Sequence, residues 1–442
     1  MIESSNTLNY AVQTLPGAST VGSNRRVDAL AFAETRPIVN EPLSAAGTTV
    51  AMPQAVITDE MLDRMRALAG TRMRIDHSVN NEEATRIAIT KFAGAIGDAN
   101  ELWTHDARAA ASPYRRPVAP PSWVIAAFSG IQFGWPGLGA FHCDSTLRFY
   151  LPIYRGDRIR AECVYDGFEG PKAATFAPQI VVDAFSNRYY NQDDRLVADI
   201  AWRVINFERS AAGMSEDGAA AQVPHPWTEE ELREIEVDVL AEAARGSEPH
   251  YWDDVAVGDE LNSVTKGPIG VTDEIAFVAA GGAPIPRLVA HGVALRLYRR
   301  QPAWAFRDPS TGALEPIYAV HYNHQAARAM GVISAYDVGF QRQCWHTHLL
   351  TDWMSDHGWV KRSYASYRGF VYLGDVVRLG GRVTDKYIDA DGEHIVDVET
   401  WARNQRGEDV MPGTATIALP DRAGTTEPVT ARLYGVGAAS SR

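Results

Sequence analysis

Apolar residues recur at helical spacing from Thr58 onward, where Met61, Leu62, Met65 and Leu68 share one face behind a threonine able to cap them. A folded region is expected to start there. Residues 1–55, rich in Ser, Thr, Ala, Gly and Pro without a sustained period, predict an extension with no core of its own, draped over a partner domain. A second break runs from Arg209 to Pro226. The charged stretch from Thr228 to about Arg245 follows it and predicts a helix with Leu232, Ile235, Val239 and Leu240 as a narrow buried stripe. These breaks divide the chain into an extension (1–55), a first domain (56–208), a linker with its helix (209–248), a second domain (249–422) and a tail (423–442).

The two domains repeat one pattern. Trp103 and His321 each begin a stretch of helical character, with Ala109 and Ala327 as the sixth residue after them. Gly156-Asp157 and Gly374-Asp375 each lie 53 residues further on. Around these turns the halves read Pro152-Ile-Tyr-Arg-Gly-Asp-Arg-Ile-Arg-Ala and Phe370-Val-Tyr-Leu-Gly-Asp-Val-Val-Arg-Leu. Alternating strands follow, 178–184 and 394–402, each ending near an Asn-Gln pair, Asn191-Gln192 and Asn404-Gln405. Equal spacing at several landmarks predicts an internal duplication. A long helix wrapped by an antiparallel sheet, twice in tandem, is the simplest α+β architecture with this order.

At Gly97-Asp98-Ala99-Asn100-Glu101-Leu102-Trp103 the first half resembles the MaoC-like hydratases, whose signature is Gly-Asp-x-Asn-Pro-aliphatic-His with Ala or Ser after five more residues. Ala109 stands in register, and Ala119-Pro120-Pro121 resembles the family's N-terminal dehydratase domain. Trp103 takes the histidine position. In the second half, His321-Tyr-Asn-His324-Gln-Ala-Ala327 resembles the segment that begins at the family histidine, but the upstream aspartate is missing. Counting back puts Pro316 there. Aligning from Phe277, the counterpart of Phe92, puts Ala283 opposite Asp98 and implies an insertion of 33 residues at about 283–316. Within it, Trp304 and Phe306 could enlarge or cap a pocket. The stretch from Tyr251 to Asp259, followed by Gly267-Pro268, is similar to the family's second-domain opening strand and supports a boundary near Glu248.

The resemblance implies a tandem (double) hotdog that reversibly hydrates a 2-enoyl-CoA, or dehydrates a 3-hydroxyacyl-CoA, in fatty acid metabolism. It implies no cofactor and a homodimer. Water addition needs a base for the water, an acid for the α-carbon and donors for the enolate oxygen. In the family an aspartate and a histidine hold the water, and backbone N–H groups by the central helix take the thioester oxygen. That makes His321, Asp98 and Asp337 the catalytic candidates, and Asn100, Asn323, His324, His142 and Arg342 the substrate-binding ones. Each has a plainer alternative: Asp98 as a helix cap, His321 as a buried hydrogen-bonded imidazole, Asp337 as an ion-pair partner. A degenerate acyl-thioester-binding or scaffold protein stays open, as does another lyase or thioesterase on the same fold.

Composition narrows the field further. The 442 residues carry a net charge of −13, with 45% hydrophobic and 22% charged residues. Broad attraction to nucleic acid or anionic membrane is disfavoured, so an anionic thioester would need a local basic patch. Arg115, Arg116, Arg299 and Arg300 are the densest candidates. Three cysteines are too few and scattered for a disulfide framework, and a cytoplasmic location is expected. Trp345-His346-Thr-His348 has superficial metal-ligand spacing but no carboxylate or cysteine at a convincing offset, so no metal is expected. No dinucleotide fingerprint, phosphate loop or nucleophile elbow occurs.

Overall fold

The computed structural model describes residues 55–74, 81–127, 134–135, 137–209, 223–282, 288–300, 302 and 305–434. The extension expected before residue 55 therefore lies outside the described residues, as does Trp304.

Thr58 accepts a hydrogen bond from the Met61 amide and opens α1 (Asp59–Leu68), where Leu62 and Met65 are buried. The short strand β1 (Thr71–Arg72) precedes α2 (Arg86–Ala95), capped by Thr85, then α3 (Glu101–Thr104), capped by Asn100, and α4 (Asp106–Ala111). A 3-10 turn, Pro121–Ile125, leads to four strands: β2 (Gly139–Phe149), β3 (Arg160–Ala174), β4 (Ala177–Tyr190) and β5 (Leu196–Phe207). After α5 (Glu229–Leu240) come β6 (Val264–Lys266), α6 (Val271–Ala279), α7 (His291–Arg300) and a ribbon of β7 (Ala305–Arg307) and β8 (Leu314–Pro316). A 3-10 turn, Ile317–His321, precedes α8 (His324–Ala329) and the central helix α9 (Gly339–Met354). The chain ends in β9 (Trp359–Ser366), β10 (Val377–Ile388), β11 (His394–Asn404), β12 (Gly413–Ala418) and α10 (Pro428–Tyr434).

One antiparallel sheet carries ten strands in the order β1-β3-β4-β5-β2-β9-β12-β11-β10-β6. The order 3-4-5-2 is mirrored by 9-12-11-10 about the β2–β9 pair, where Asp144 to Arg148 run against Ser366 to Arg362. Duplication is thus visible as a pseudo-twofold. The Gly-Asp turns match in detail: Gly156 and Gly374 adopt φ of 93° and 92°, a left-handed conformation that favours glycine. The following carboxylates, Asp157 and Asp375, accept the Tyr154 and Tyr372 amides and receive the Gln192 and Gln405 side chains. Those glutamines belong to the Asn-Gln pairs, which therefore tie each sheet to its turn.

Three expectations need correction. The stretches from Trp103 and His321 are not long helices: the first is interrupted at His105, whose backbone is extended between α3 and α4, and the second at Asn323, which caps a new start with its side chain. The long helix begins further on, at Gly339, and every residue from Phe340 to Met354 is buried, so it is not amphipathic. Its first-half counterpart among the described residues is the turn Pro121–Ile125, whose Ser122 hydrogen-bonds Cys344 of α9. In α5 only Ile235 is fully buried and Leu240 is 84% exposed. Leu232, Ile235 and Val239 share a face, and Leu240 points 100° away from Val239.

The residues between α6 and the turn at Ile317 hold α7 and the β7–β8 ribbon. Phe306 is 2% exposed and packs with Ala319, Val320, Ala326 and Tyr336. It anchors the ribbon beneath α8 instead of capping a pocket.

Candidate functional site

Two clusters of buried titratable groups flank α9, one at its start and one near its end. At the start, the chain turns from Tyr336 into α9, and His321 from the preceding 3-10 turn reaches back to it. The Nδ1–H of His321 donates to the Tyr336 carbonyl at 2.9 Å, which leaves Nε2 as the basic nitrogen. Burial lowers its pKa to about 4, so the ring is neutral near pH 7. Tyr318 and Tyr336 flank the ring at centroid distances of 4.4 and 4.9 Å. His321 as a whole residue is half-buried, and its ring sits between the two tyrosines.

Behind it lies a set of acids. Asp337 pairs with the Arg342 Nε at 2.6 Å, and burial still pushes its carboxyl up to about 6. Glu274 of α6 is 0% exposed, accepts the Val338 amide at the start of α9, and is held well above the carboxylate range by burial and then by Asp337. With its amide turned, Gln341 donates to both Glu274 oxygens at 2.9 and 3.1 Å. The buried Tyr318 hydroxyl has no hydrogen-bond partner among the described residues, and Glu274 is the foremost of the charges acting on it. The N-terminus of α9, where a helix dipole favours negative charge, thus holds a protonatable carboxyl group.

Near the end of α9, Asp98 of the Gly-Asp-x-Asn segment meets His348. Its Oδ2 accepts the Trp103 indole N–H at 2.8 Å and its Oδ1 accepts the Asn100 amide at 3.0 Å. The tryptophan in the histidine position therefore binds the motif aspartate directly. The His348 Nε2 stands 3.6 Å from Asp98 Oδ1, 3.2 Å from Glu242 Oε1 and 3.2 Å from Asp352 Oδ2. Lys266 Nζ contacts the His348 Nδ1 at 3.0 Å, the Gly97 carbonyl at 3.0 Å and Glu242 at 3.3 Å. Burial raises the Asp98 carboxyl and lifts Asp352 to about 7. Trp103 also lines a shallow apolar cleft with Val118, Phe149, Leu151, Ile153 and Trp359.

The expected catalytic trio is thus divided. His321 and Asp337 come together through the backbone, and Asp98 belongs to the cluster with His348. Several expected ligand contacts are instead committed to the fold. Asn100 caps α3 through the Leu102 amide; Asn323 caps α8 and donates to Asp308 at 2.7 Å. Arg342 is 5% exposed, with its guanidinium on Asp337 and the Gly369 and Val410 carbonyls, so it does not face an open site. His324 is exposed, with Nδ1 on the Ser334 hydroxyl at 2.7 Å. His142 packs on Phe340 and Tyr367 beside Gly339, and its buried Nε2 has no hydrogen-bond partner among the described residues; burial lowers its pKa to about 3. It sits at the start of α9. The basic pairs are exposed, Arg115 and Arg116 after α4 and Arg299 and Arg300 at the end of α7, and Arg116 stacks on Tyr154.

Sequence reasoning passed over Glu274, Tyr318, Glu242, Lys266 and Asp352, and it weighed His348 only for its spacing from His346. Only one signal was available for these: His348 and Asp352 stand four apart, one helical turn. His346, the other half of the apparent His pair, points elsewhere, to the Ser363 and Thr400 hydroxyls at 2.9 Å each. Among the described residues Asp98, His348 and Asp352 form the group whose donor atoms all lie within 4.8 Å, the spacing a metal ion requires.

Residues 71–200 match the FAS1-like dehydratase domain region. No curated protein matches the chain. Among solved structures, a MaoC-like dehydratase is 14% identical with a TM-score of 0.55, over 80% of this chain and 99% of that one. A putative MaoC-domain dehydratase from Chloroflexus aurantiacus is also 14% identical, with a TM-score of 0.48, over 80% and 96% of the two chains. A Mycobacterium tuberculosis protein described as a double hotdog gives 14% and 0.48 over 80% and 97%. The chain has the double hotdog fold, and the match to the dehydratase region falls within its first half. The resemblance to the MaoC-like superfamily rests on both. Among the described residues no helix is long and apolar enough to cross a membrane.

Proposed function

We propose that this double-hotdog chain, similar to the MaoC-like dehydratases, reversibly hydrates a 2-enoyl thioester, or dehydrates the 3-hydroxyacyl thioester, at the start of α9. One observation carries the reading. His321 is a neutral imidazole with Nδ1 pinned to the Tyr336 carbonyl, so its basic Nε2 is fixed beside a helix N-terminus. In hydration, Nε2 takes a proton as the water oxygen bonds to the β-carbon. The N-terminal amides and dipole of α9 favour the enolate oxygen that develops on the thioester. Glu274, kept protonated by burial beside Asp337, supplies the proton for the α-carbon, and the proton held on His321 then restores it, so that the cycle closes. A CoA thioester is the expected form of the substrate, and the exposed arginine pairs suit its phosphates.

The test is to supply 2-enoyl-CoA thioesters of graded chain length and follow loss of enoyl absorbance. His321→Ala should lower kcat by about 100- to 10,000-fold, the usual weight of a general base. Full activity in that variant would remove His321 from the reaction.

A second reading is favoured by Trp103, which replaces a proton-transferring ring with an indole bonded to Asp98. On that reading the chain holds an acyl thioester without chemistry. Calorimetric binding with no turnover across the panel would select it, and release of free CoA would indicate a thioesterase.

A further inference from the structure

We propose that His348, Asp352 and Asp98 form a three-ligand site for one tetrahedral divalent cation, Zn²⁺ by its donor set, between the two halves of the molecule. The site is independent of the proposed hydratase centre at the other end of α9. His348 and Asp352 project from one face of α9, Asp98 comes from the loop before α3, and Glu242 lies just beyond α5.

Geometry is the first support. Ligands at about 2.0–2.1 Å around a tetrahedral zinc stand about 3.4 Å from one another. The three carboxylate oxygens lie 3.2, 3.2 and 3.6 Å from the His348 Nε2. The His348 nitrogen and the Asp98 and Asp352 oxygens also lie within 4.8 Å of one another, which suits three protein ligands with the fourth position left to water, and Glu242 stands beside the set as a hydrogen-bond partner.

Charge is the second. Three carboxyl groups face one ammonium, Lys266, in a place where the Asp98, His348 and Asp352 side chains are 1–3% exposed. Buried negative charge in excess is costly unless a proton or a cation offsets it. The third support is the Asp352 Oδ1, which is buried and has no hydrogen-bond partner among the described residues. Leaving a buried carboxylate oxygen unsatisfied is costly, and a bound cation would engage it.

Lys266 opposes the ion. A zinc-bound Nε2 puts the imidazole proton on Nδ1, where Lys266 Nζ now donates at 3.0 Å. On metal uptake Lys266 must lose a proton or turn wholly to Glu242 and the Gly97 carbonyl, which it already contacts. Lys266 is therefore a competitor of the cation, and its removal should tighten binding.

The experiment uses the full chain stripped with a chelator, then titrated with ZnCl₂ by calorimetry and with Co²⁺ by visible absorbance. One ion per chain and the strong bands of tetrahedral cobalt are expected. Asp98→Asn and Asp352→Asn should each weaken zinc at least tenfold, and Lys266→Met should strengthen it. No saturable zinc binding, a cobalt spectrum of octahedral type, or an affinity unchanged in the Asp98→Asn/Asp352→Asn pair would each overturn the site. The wild-type cobalt spectrum and Lys266→Met decide the matter even where an aspartate variant does not fold.

Discussion

Asp183 shows how one buried acid is kept in an antiparallel sheet. It is 2% exposed on β4, and its carboxylate accepts the Tyr165 hydroxyl, the Trp135 indole and the Asn206 amide, each at 2.8 Å. Burial outweighs those three donors and pushes its pKa up to about 6. The folded chain then holds this proton more tightly than the unfolded chain does. Stability from the group is full below about pH 4 and is lost as pH rises through about 6. Asp183→Asn should flatten that part of the profile, as read by denaturant unfolding at about pH 4 and pH 7; an unchanged slope would show that Asp183 is ionised throughout. The same balance of burial against donors governs Asp337, where Arg342 takes the place of the neutral donors. Asp98 and Asn100 were legible as residues to watch, because the Gly-Asp-x-Asn motif is local. Glu274 was not, since nothing near it in sequence marks a carboxyl group that will cap a helix 65 positions later.

α9 is the element on which both clusters depend. Burial on every side means its position is set by packing, with little contribution from a polar face. Leu349 is 0% exposed at its middle. Leu349→Ala should cost about 2–5 kcal/mol through lost transfer energy and the cavity left behind. It should also loosen His348 next to it, so that a fall in zinc affinity accompanies the fall in thermal midpoint. A loss under about 1 kcal/mol would mean that the helix repacks around the gap. Gly339 has a different constraint: a Cβ there would stand 2.8 Å from the His142 ring, so the helix start has room for glycine alone while that ring stays in place.

At the scale of the molecule, the two halves share one sheet and exchange buried charge. β2 pairs with β9 at the centre, Lys266 of the second half bonds the Gly97 carbonyl of the first, and Arg108 pairs with Asp356, whose side chain is 1% exposed. A continuous sheet predicts one cooperative unfolding transition from residue 55 onward. Arg108→Ala leaves Asp356 buried without its partner and should cost about 2–3 kcal/mol. Calorimetry should then show one peak moved to lower temperature. Two separate peaks would mean that the halves unfold independently and that the ion pair had coupled them.

The sequence alone determined the duplication and the Gly-Asp turns, because these depend on local spacing and a left-handed φ that glycine provides. It also placed His321 at the start of the second repeat. Only the tertiary structure decided which acid meets which imidazole. Asp98 and His348 are 250 positions apart, and their contact follows from how α9 crosses beneath the first half. Periodicity reports which residues one element buries, and it carries no signal of which face of another element they will meet there.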